Sequence, residues 1–434
     1  MTEPGHRVGP EALAALADIV GDGNVSCGLA ERELLVRPRS EEETAEVIRL
    51  ARKLRLTLRT ADAAPGPAAD LLLDLSHLSR ILALNRTNHT VEVQAGIGGE
   101  ALERALNVEG FTLGHFPERS YASSLGQWLG ERSAQAPTAK YGGSGDLCLA
   151  LRGVLANGDA FRGNNTPRSA VGPDLDQLIV GSRSALAVIT GAVLAVHPLP
   201  RWSRYRAFLF PDFIAGLEAL RLVVRSGLDP GRAQLYDEAA TRQWREPLRL
   251  NAPGALLVIG FEGLDNALNR VKAKQAFHLL ARTGTELPPS TVDDWLRLRL
   301  APPPAAGMAE RRIEVSALWA CVPGLVQALQ RALAPLAAVS ARTSYLCSTG
   351  VAIEYVLSGE TATVDEIFLR IVPVAAAAAA GAGGVLRRAD GADTPLTARG
   401  PAADLFRELK RRIDPENILN PAPAQTDPPA MEPA

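Results

Sequence analysis

The sequence predicts an α+β fold in two unlike parts: a groove-bearing domain built on two small sheets, then a ferredoxin-like antiparallel-sheet cap domain. Three observations carry this expectation. Short apolar strands alternate with helical segments from Leu34 to His197, in an order that suits two sheets sandwiching a groove. The pattern changes from about residue 201 to longer strands such as RYRAFLFPDF. Two strand–helix–strand units then follow one another, the layout of a split βαβ sheet.

Each element has a local reason. Residues 1–30 form an N-terminal helical extension around ALAALADIV. In the domain over 31–200, Leu34-Leu35-Val36 is a strand stopped by Pro38, and Ser40 caps the helix TAEVIRLARKL. Glu41, Glu42 and Glu43 place negative charge at the positive end of that helix. LTLRT and LLLDL are apolar runs suited to buried strands, and in TVEVQAG the valines Val91 and Val93 alternate with polar residues. Gly98-Gly99-Glu100 opens the helix ALERALNVEG, which stops at Gly110. The cap spans 201–400. Its first unit runs through the helix IAGLEALRLVVRSG, RAQLYD, the strand ALLVIGFEG and the helix DNALNRVKAKQAFHLLARTG; its second has RRIEVSALW, VPGLVQALQRALAPL, VAIEYVLSG and TVDEIFLRIVPVAAAAAA. Residues 401–423 hold a C-terminal helix and an Asn-Pro segment that returns to the first domain, and 424–434 read as a Pro-rich disordered tail.

With 434 residues the chain can bury more than one sizeable core, and 47% hydrophobic against 22% charged residues is a soluble globular balance. A formal net charge of −2 argues against nucleic acid or an anionic membrane as partner. The first twenty residues lack a basic then apolar signal pattern, and the run from Val374 is short and glycine-broken, so no transmembrane segment and a cytoplasmic protein are expected. Cys27, Cys148, Cys321 and Cys347 are widely spaced and are expected to be buried free thiols. The histidines (His6, His77, His89, His115, His197, His278) show no metal-ligand spacing, so no metal is expected.

Seven stretches, in order, resemble the FAD-binding PCMH-type (vanillyl-alcohol oxidase) family, in wording nearest to the alkyldihydroxyacetonephosphate synthases and D-2-hydroxyacid dehydrogenases. They are Val36 to Glu42, Leu73 to Ser76 with Leu78 and Arg80, Val91 to Gly96, Ser123 to Trp128, Lys140-Tyr141-Gly142 with Asp146, the segment Pro167 to Pro200, and Asp414-Pro415-Glu416-Asn417-Ile418-Leu419-Asn420-Pro421. The resemblance implies a two-subdomain PCMH-type FAD-binding fold beneath the cap, and FAD as cofactor. It implies cofactor-binding roles for Ser124, Gly126, Tyr141, Gly181, Ser182, Ile189 and Asn420.

The same resemblance implies three glycine-rich loops whose N–H groups approach the pyrophosphate. All three have lost glycine here. Leu58 to Pro67 contains Asp62 and prolines that donate nothing. Gln127 follows Gly126, placing a side chain where the flavin or ribityl chain would pass, and Ser133 to Ala139 replaces a second glycine cluster. Ser184, Ala185 and Ala187 stand where Gly, Thr and Gly are usual. Of the synthase signature GGTxSHHHGxG, Gly383, Gly384 and Gly391 persist, but Arg388, Ala389 and Asp390 occupy the histidine positions. Arginine cannot serve as a proton shuttle at neutral pH. Arg297 and Arg299, where the family has an anion-binding arginine, together with Tyr345 and Arg388 are the candidate catalytic residues, with Arg387 adding to an anion site. For Arg297 and Arg299, a solvated helix or an ion pair with Asp293 or Asp294 is the plainer alternative.

The expectation is therefore a divergent FAD-linked oxidase relative that has lost synthase-type catalysis, with weakened or absent FAD binding. The alternative is an active FAD-dependent oxidoreductase acting on a hydroxy acid or phosphate ester. A protein partner, a homodimer and a small anionic ligand all remain open.

Overall fold

The computed structural model describes residues 8–27, 33–61, 69–114, 123–132, 139–166, 172–264, 266–298, 308–390 and 401–421. Helix α1 (Pro10–Val20) buries Leu16 and Val20. Strands β1 (Val25–Cys27) and β2 (Leu34–Val36) pair antiparallel. Helix α2 (Glu41–Leu54) starts at Ser40, whose hydroxyl accepts from the Glu43 N–H at 3.1 Å. Strands β3 (Leu58–Thr60) and β4 (Leu71–Leu73) complete a sheet of order β1-β2-β4-β3, with β4 parallel to both neighbours. Continuous leucines suit a parallel strand covered on both faces.

The second sheet begins with β5 (Ile81–Asn85) and β6 (Thr90–Gln94). Then follow α3 (Gly99–Val108), β7 (Phe111–Thr112), α4 (Leu125–Glu131) and α5 (Ser144–Leu147). Strands β8 (Cys148–Leu155) and β9 (Ala160–Arg162), helix α6 (Leu175–Ile179) and strand β10 (Ala187–Ala195) close an antiparallel sheet of order β5-β6-β10-β8-β9. Strand β11 (His197–Pro198) pairs with β7. Helix α4 is fixed by Trp128: its ring lies against Gly99, where a Cβ would come within 1.9 Å, and its indole N–H donates to the Ser123 hydroxyl at 2.8 Å. This anchoring aims the far end of α4, Glu131 and Arg132, toward the cap.

The cap is one antiparallel sheet in two halves. The first comprises β12 (Trp202–Phe210), α7 (Phe213–Arg225), β13 (Arg232–Tyr236), α8 (Glu238–Arg245), β14 (Ala255–Gly263), α9 (Asn266–Leu280) and β15 (Thr285–Glu286), followed by α10 (Pro289–Leu298). The second comprises β16 (Met308–Leu318), α11 (Val322–Leu333), β17 (Ser340–Leu346), β18 (Gly350–Glu360), α12 (Thr361–Gly381) and β19 (Gly384–Ala389). The order β15-β12-β14-β13-β17-β18-β16-β19 places the fourth strand of each half beside the first and the third beside the second. The second half thus has the βαββαβ element order of a split βαβ unit, and the first has the same order with α8 inserted between β13 and β14. They join at β13 and β17 through the pair Tyr236↔Arg342.

Alternation assigns the two faces of this sheet. Phe208, Phe261, Ile313, Ile353 and Tyr355 point to one face, where they form a large core with residues of α7, α9, α11 and α12. On the other face Tyr236, Leu256 and Val258 of the first half are covered by Val292 and Trp295 of α10. The same face of the second half meets the first domain. Helix α13 (Pro401–Ile413) and the residues after it run back to that domain: Leu419 bridges Leu58, and the Lys410 ammonium donates to Ala185 O at 2.8 Å and Leu419 O at 2.6 Å.

Among the described residues no helix is long and apolar enough to cross a membrane; the alanine run lies within α12, packed on the cap sheet. The expectation for the cysteines is corrected in part. Cys148 is buried and burial pushes its thiol up to about 12, but Cys321 and Cys347 are partly exposed because they sit in the turns at the strand ends.

Candidate functional site

The face of the cap's second half that looks toward the first domain carries a row of charges across four adjacent strands. Arg342 on β17 pairs with Glu354 on β18, Glu354 with Glu314 on β16, and Glu314 with Arg388 on β19. Two carboxylates therefore lie directly opposite each other, flanked by guanidinium groups on both sides. Arg342 grips one Glu354 oxygen with Nε and Nη2, each at 2.7 Å. The Ser344 hydroxyl donates to Glu314 at 2.8 Å. Two bulges shape the row. One, at Ser344, lets that hydroxyl reach across; the other, between Glu314 and Val315, adds Arg387 to β19 so that Arg387 and Arg388 both reach the junction.

The first domain meets this row with the end of α4 and the loop after α6. Arg388 lies 4.0 Å from Glu131 and 3.4 Å from Asp390. Arg132 donates to Gln177 O at 2.9 Å and packs beside Gly181, whose φ of +88° takes the backbone through a turn that side-chain-bearing residues resist. Between them remains a cavity of about 170 Å³ lined by Glu131, Arg132, Val180, Gly181, Glu314, Arg387 and Arg388. That is below the roughly 300–1,000 Å³ of ordinary ligand pockets and suits an ion of a few heavy atoms.

The opposed carboxylates titrate apart. For Glu354, burial works against ionisation, yet Arg342, Arg312 and Arg388 hold the carboxyl down to about 2. Burial raises Glu314 above the ordinary carboxylate range, and Arg388 and the Ser344 hydrogen bond only partly offset it. Burial and the like charge of Arg387 push Arg132 down. Among the described residues neither Arg132 nor Arg387 has a carboxylate within ion-pair distance, while Asp146 and Asp174 act on Arg132, and Glu314 on Arg387, at longer range.

Of the residues nominated from sequence, Gly181, Arg387 and Arg388 line this cavity. Tyr345 is half-buried nearby, its phenol raised by burial and by Asp146 and lowered by Arg387. Arg297 does not belong: it is exposed on α10 and pairs with Asp294 at 2.7 Å, because α10 turns its apolar side to the sheet. Arg299 lies outside the described residues. Ser124 caps α4 at its far end by accepting from the Gln127 N–H. Gly126 packs on Ala95, and Tyr141 is buried against Gly114 and His197. Ile189 is enclosed within β10, paired with Gly153. The Ser182 hydroxyl is buried with no partner among the described residues, and the Asn420 amide donates to Arg183 O at 2.6 Å. Of the histidine-position triplet, Ala389 points into the core while Arg388 and Asp390 face the junction. The Gln127 expectation is corrected: its amide runs along α4 to Glu131 at 3.2 Å. Sequence reasoning missed Glu131, Arg132, Glu314 and Arg342 as site residues. The available signal was a charge at alternate positions of otherwise apolar strands, as in RRIEVS.

Whether these residues fit a dinucleotide is decided by their N–H groups. At α4, Leu125 donates to Ile97 O, Gly126 to Ala95 O, Gln127 to Ser124 Oγ and Trp128 to Ser124 O. In the other loop, Gly181 donates to Leu129 O, Ser182 to Ile179 O, Arg183 to Gly130 O and Ala185 to Ser182 O. These eight donors are spent inside the protein, and Lys410 and Asn420 hold the carbonyls of Ala185 and Arg183. At these two segments those N–H groups are therefore not free to hold a pyrophosphate. The remaining loop residues considered from sequence (62–67 and 133–138) lie outside the described residues.

The architecture is that of a two-sheet domain roofed by an antiparallel cap. Residues 33–164 match the FAD binding domain, and residues 199–423 match the C-terminal domain of FAD linked oxidases. The chain belongs to the FAD-linked oxidase family. It is 32% identical over 216 residues to an alkyldihydroxyacetonephosphate synthase of Caenorhabditis elegans, covering 47% of this chain and 36% of that protein. It is 28% identical over 219 residues to the mitochondrial D-lactate dehydrogenase (cytochrome) of Arabidopsis thaliana, covering 48% and 38%. The matched stretches thus span little more than a third of those relatives. A solved alkyldihydroxyacetonephosphate synthase structure superposes with a TM-score of 0.73 at 22% identity, covering 97% of this chain and 87% of that one, which establishes the shared fold.

Proposed function

We propose that this chain is a divergent FAD-linked oxidase relative that has lost synthase-type catalysis, binds FAD weakly or not at all, and takes a small inorganic or carboxylate anion at the junction of its two domains. The observation that carries the reading is the Arg342–Glu354–Glu314–Arg388 row closing on a cavity of about 170 Å³. Arg132 and Arg387, neither held in an ion pair among the described residues, supply the guanidinium groups for such an anion. Glu314, raised by burial, can hold a proton beside it, while Glu354 stays ionised and fixes Arg342. Domain roles follow the sequence reading, with a flavin-domain-like base over 31–200 and a cap over 201–400; a protein partner or a homodimer is compatible with this reading.

The second reading is an active FAD-dependent oxidoreductase acting on a hydroxy acid or phosphate ester. The match of residues 33–164 to an FAD binding domain favours it. The visible spectrum of the protein after incubation with FAD and desalting separates the two. Retained stoichiometric flavin supports the second reading; colourless protein supports the first.

A further inference from the structure

A second cavity, of about 560 Å³, lies far from the junction row in character and on the helix-covered side of the cap, over the seam between its halves. Its walls are apolar and small: Phe213 at the start of α7, Val326 and Ala334 of α11, and Ala341 of β17. Its size falls in the range of ordinary ligand pockets.

Two polar features stand at opposite ends of this apolar space. At the rim, Arg242 and Arg245 sit one turn apart on α8, both exposed, with no carboxylate in ion-pair distance among the described residues. In the wall, Tyr355 is 3% exposed and its hydroxyl has no hydrogen-bond partner among the described residues. Native interiors rarely leave such a group unmade. The acidic neighbours are already engaged: Asp237 caps α8 through the Ala240 N–H at 2.7 Å, and Glu238 accepts from the Phe213 N–H at 3.3 Å.

We infer that this cavity binds a small amphipathic organic anion: an apolar body between α7 and α11, an acidic head on Arg242 and Arg245, and a hydrogen-bonding group at its far end that satisfies Tyr355. The paired guanidinium groups suit a carboxylate or a phosphate head equally.

The test titrates the full chain with hydroxynaphthoate, followed by the probe's own fluorescence, with naphthyl phosphate and neutral hydroxynaphthamide as comparisons. The expected result is saturable binding of one equivalent, weakened at least about tenfold by the surface exchange Arg242→Gln with Arg245→Gln and unchanged by it for the amide. Stronger competition by naphthyl phosphate than by naphthoate identifies a phosphate head, and the reverse a carboxylate. Tyr355→Phe should bring hydroxynaphthoate to the affinity of naphthoate without lowering the melting temperature of the free protein. Ala334→Trp, at an exposed helix end, should abolish binding in protein that still melts cooperatively. Absence of saturable binding, or binding indifferent to the double arginine exchange, overturns the inference.

Discussion

The two halves of the cap share one strand order, one sheet and one pair of faces, yet the face turned away from the main helical core is chemically opposite in each. In the first half it is Ala207, Tyr236, Leu256 and Val258, sealed by Trp295 of α10. In the second it is Arg342, Glu354, Glu314 and Arg388, met by the end of α4. Topology decides where the face points; the covering element decides what it must contain. A helix supplied from the same half gives an apolar seal, whereas a surface contributed by another domain leaves room for a polar site. Buried charge is tolerated there because the outer strands of the row supply guanidinium groups on both sides of the two carboxylates.

The largest effects should come from breaking either cover. Trp295→Ala should cost about 3–5 kcal/mol in denaturant unfolding, the usual scale for removing a buried tryptophan. Glu354→Leu should cost a similar amount, about 3–5 kcal/mol, because Arg342, Arg312 and Arg388 lose the buried carboxylate that faces them. A sharper form of the comparison makes the second half resemble the first. Arg342→Met combined with Glu354→Leu should recover most of the loss, to within about 1–2 kcal/mol of the parent, as apolar replacements of buried ion pairs often do. A result as poor as the single exchange would mean that the row is held for stability rather than for its site.

The pH dependence separates the same two chains. Glu354 is depressed from 4.5 to about 2 in the folded state, so the stability it contributes is complete above 4.5 and is lost as pH falls from there toward 2. The parent should therefore lose melting temperature over that window more steeply than the Met–Leu double variant. The smallest expected effect is at the opposing carboxylate. Glu314 is already biased toward its neutral form by burial, so Glu314→Gln should change stability by less than about 1 kcal/mol. A loss as large as that for Glu354→Leu would contradict the asymmetry of the pair.

Much of the fold was legible from local chemistry. Ser40 with three following glutamates marked α2, leucine-rich runs marked the buried strands, and the strand–helix repetition after residue 201 marked the second domain. The junction was less legible, for a physical reason. Arg388 was visible through its motif, but Glu314, Glu354 and Arg342 become one site only through the register of four strands separated by up to 74 positions, the span from Glu314 to Arg388. Arg132 joins them from another domain altogether. Arg297 misled in the opposite way: a family position suggested a site, while the i, i+3 neighbour Asp294 had already indicated a surface ion pair.

Flavin content tests most directly the proposal that the junction takes a small anion and not flavin. Purified protein is incubated with excess FAD, desalted, and its visible spectrum recorded beside that of the protein before loading. The account predicts no retained flavin band and no quenching of added FAD fluorescence. Retention of one flavin per chain would contradict it.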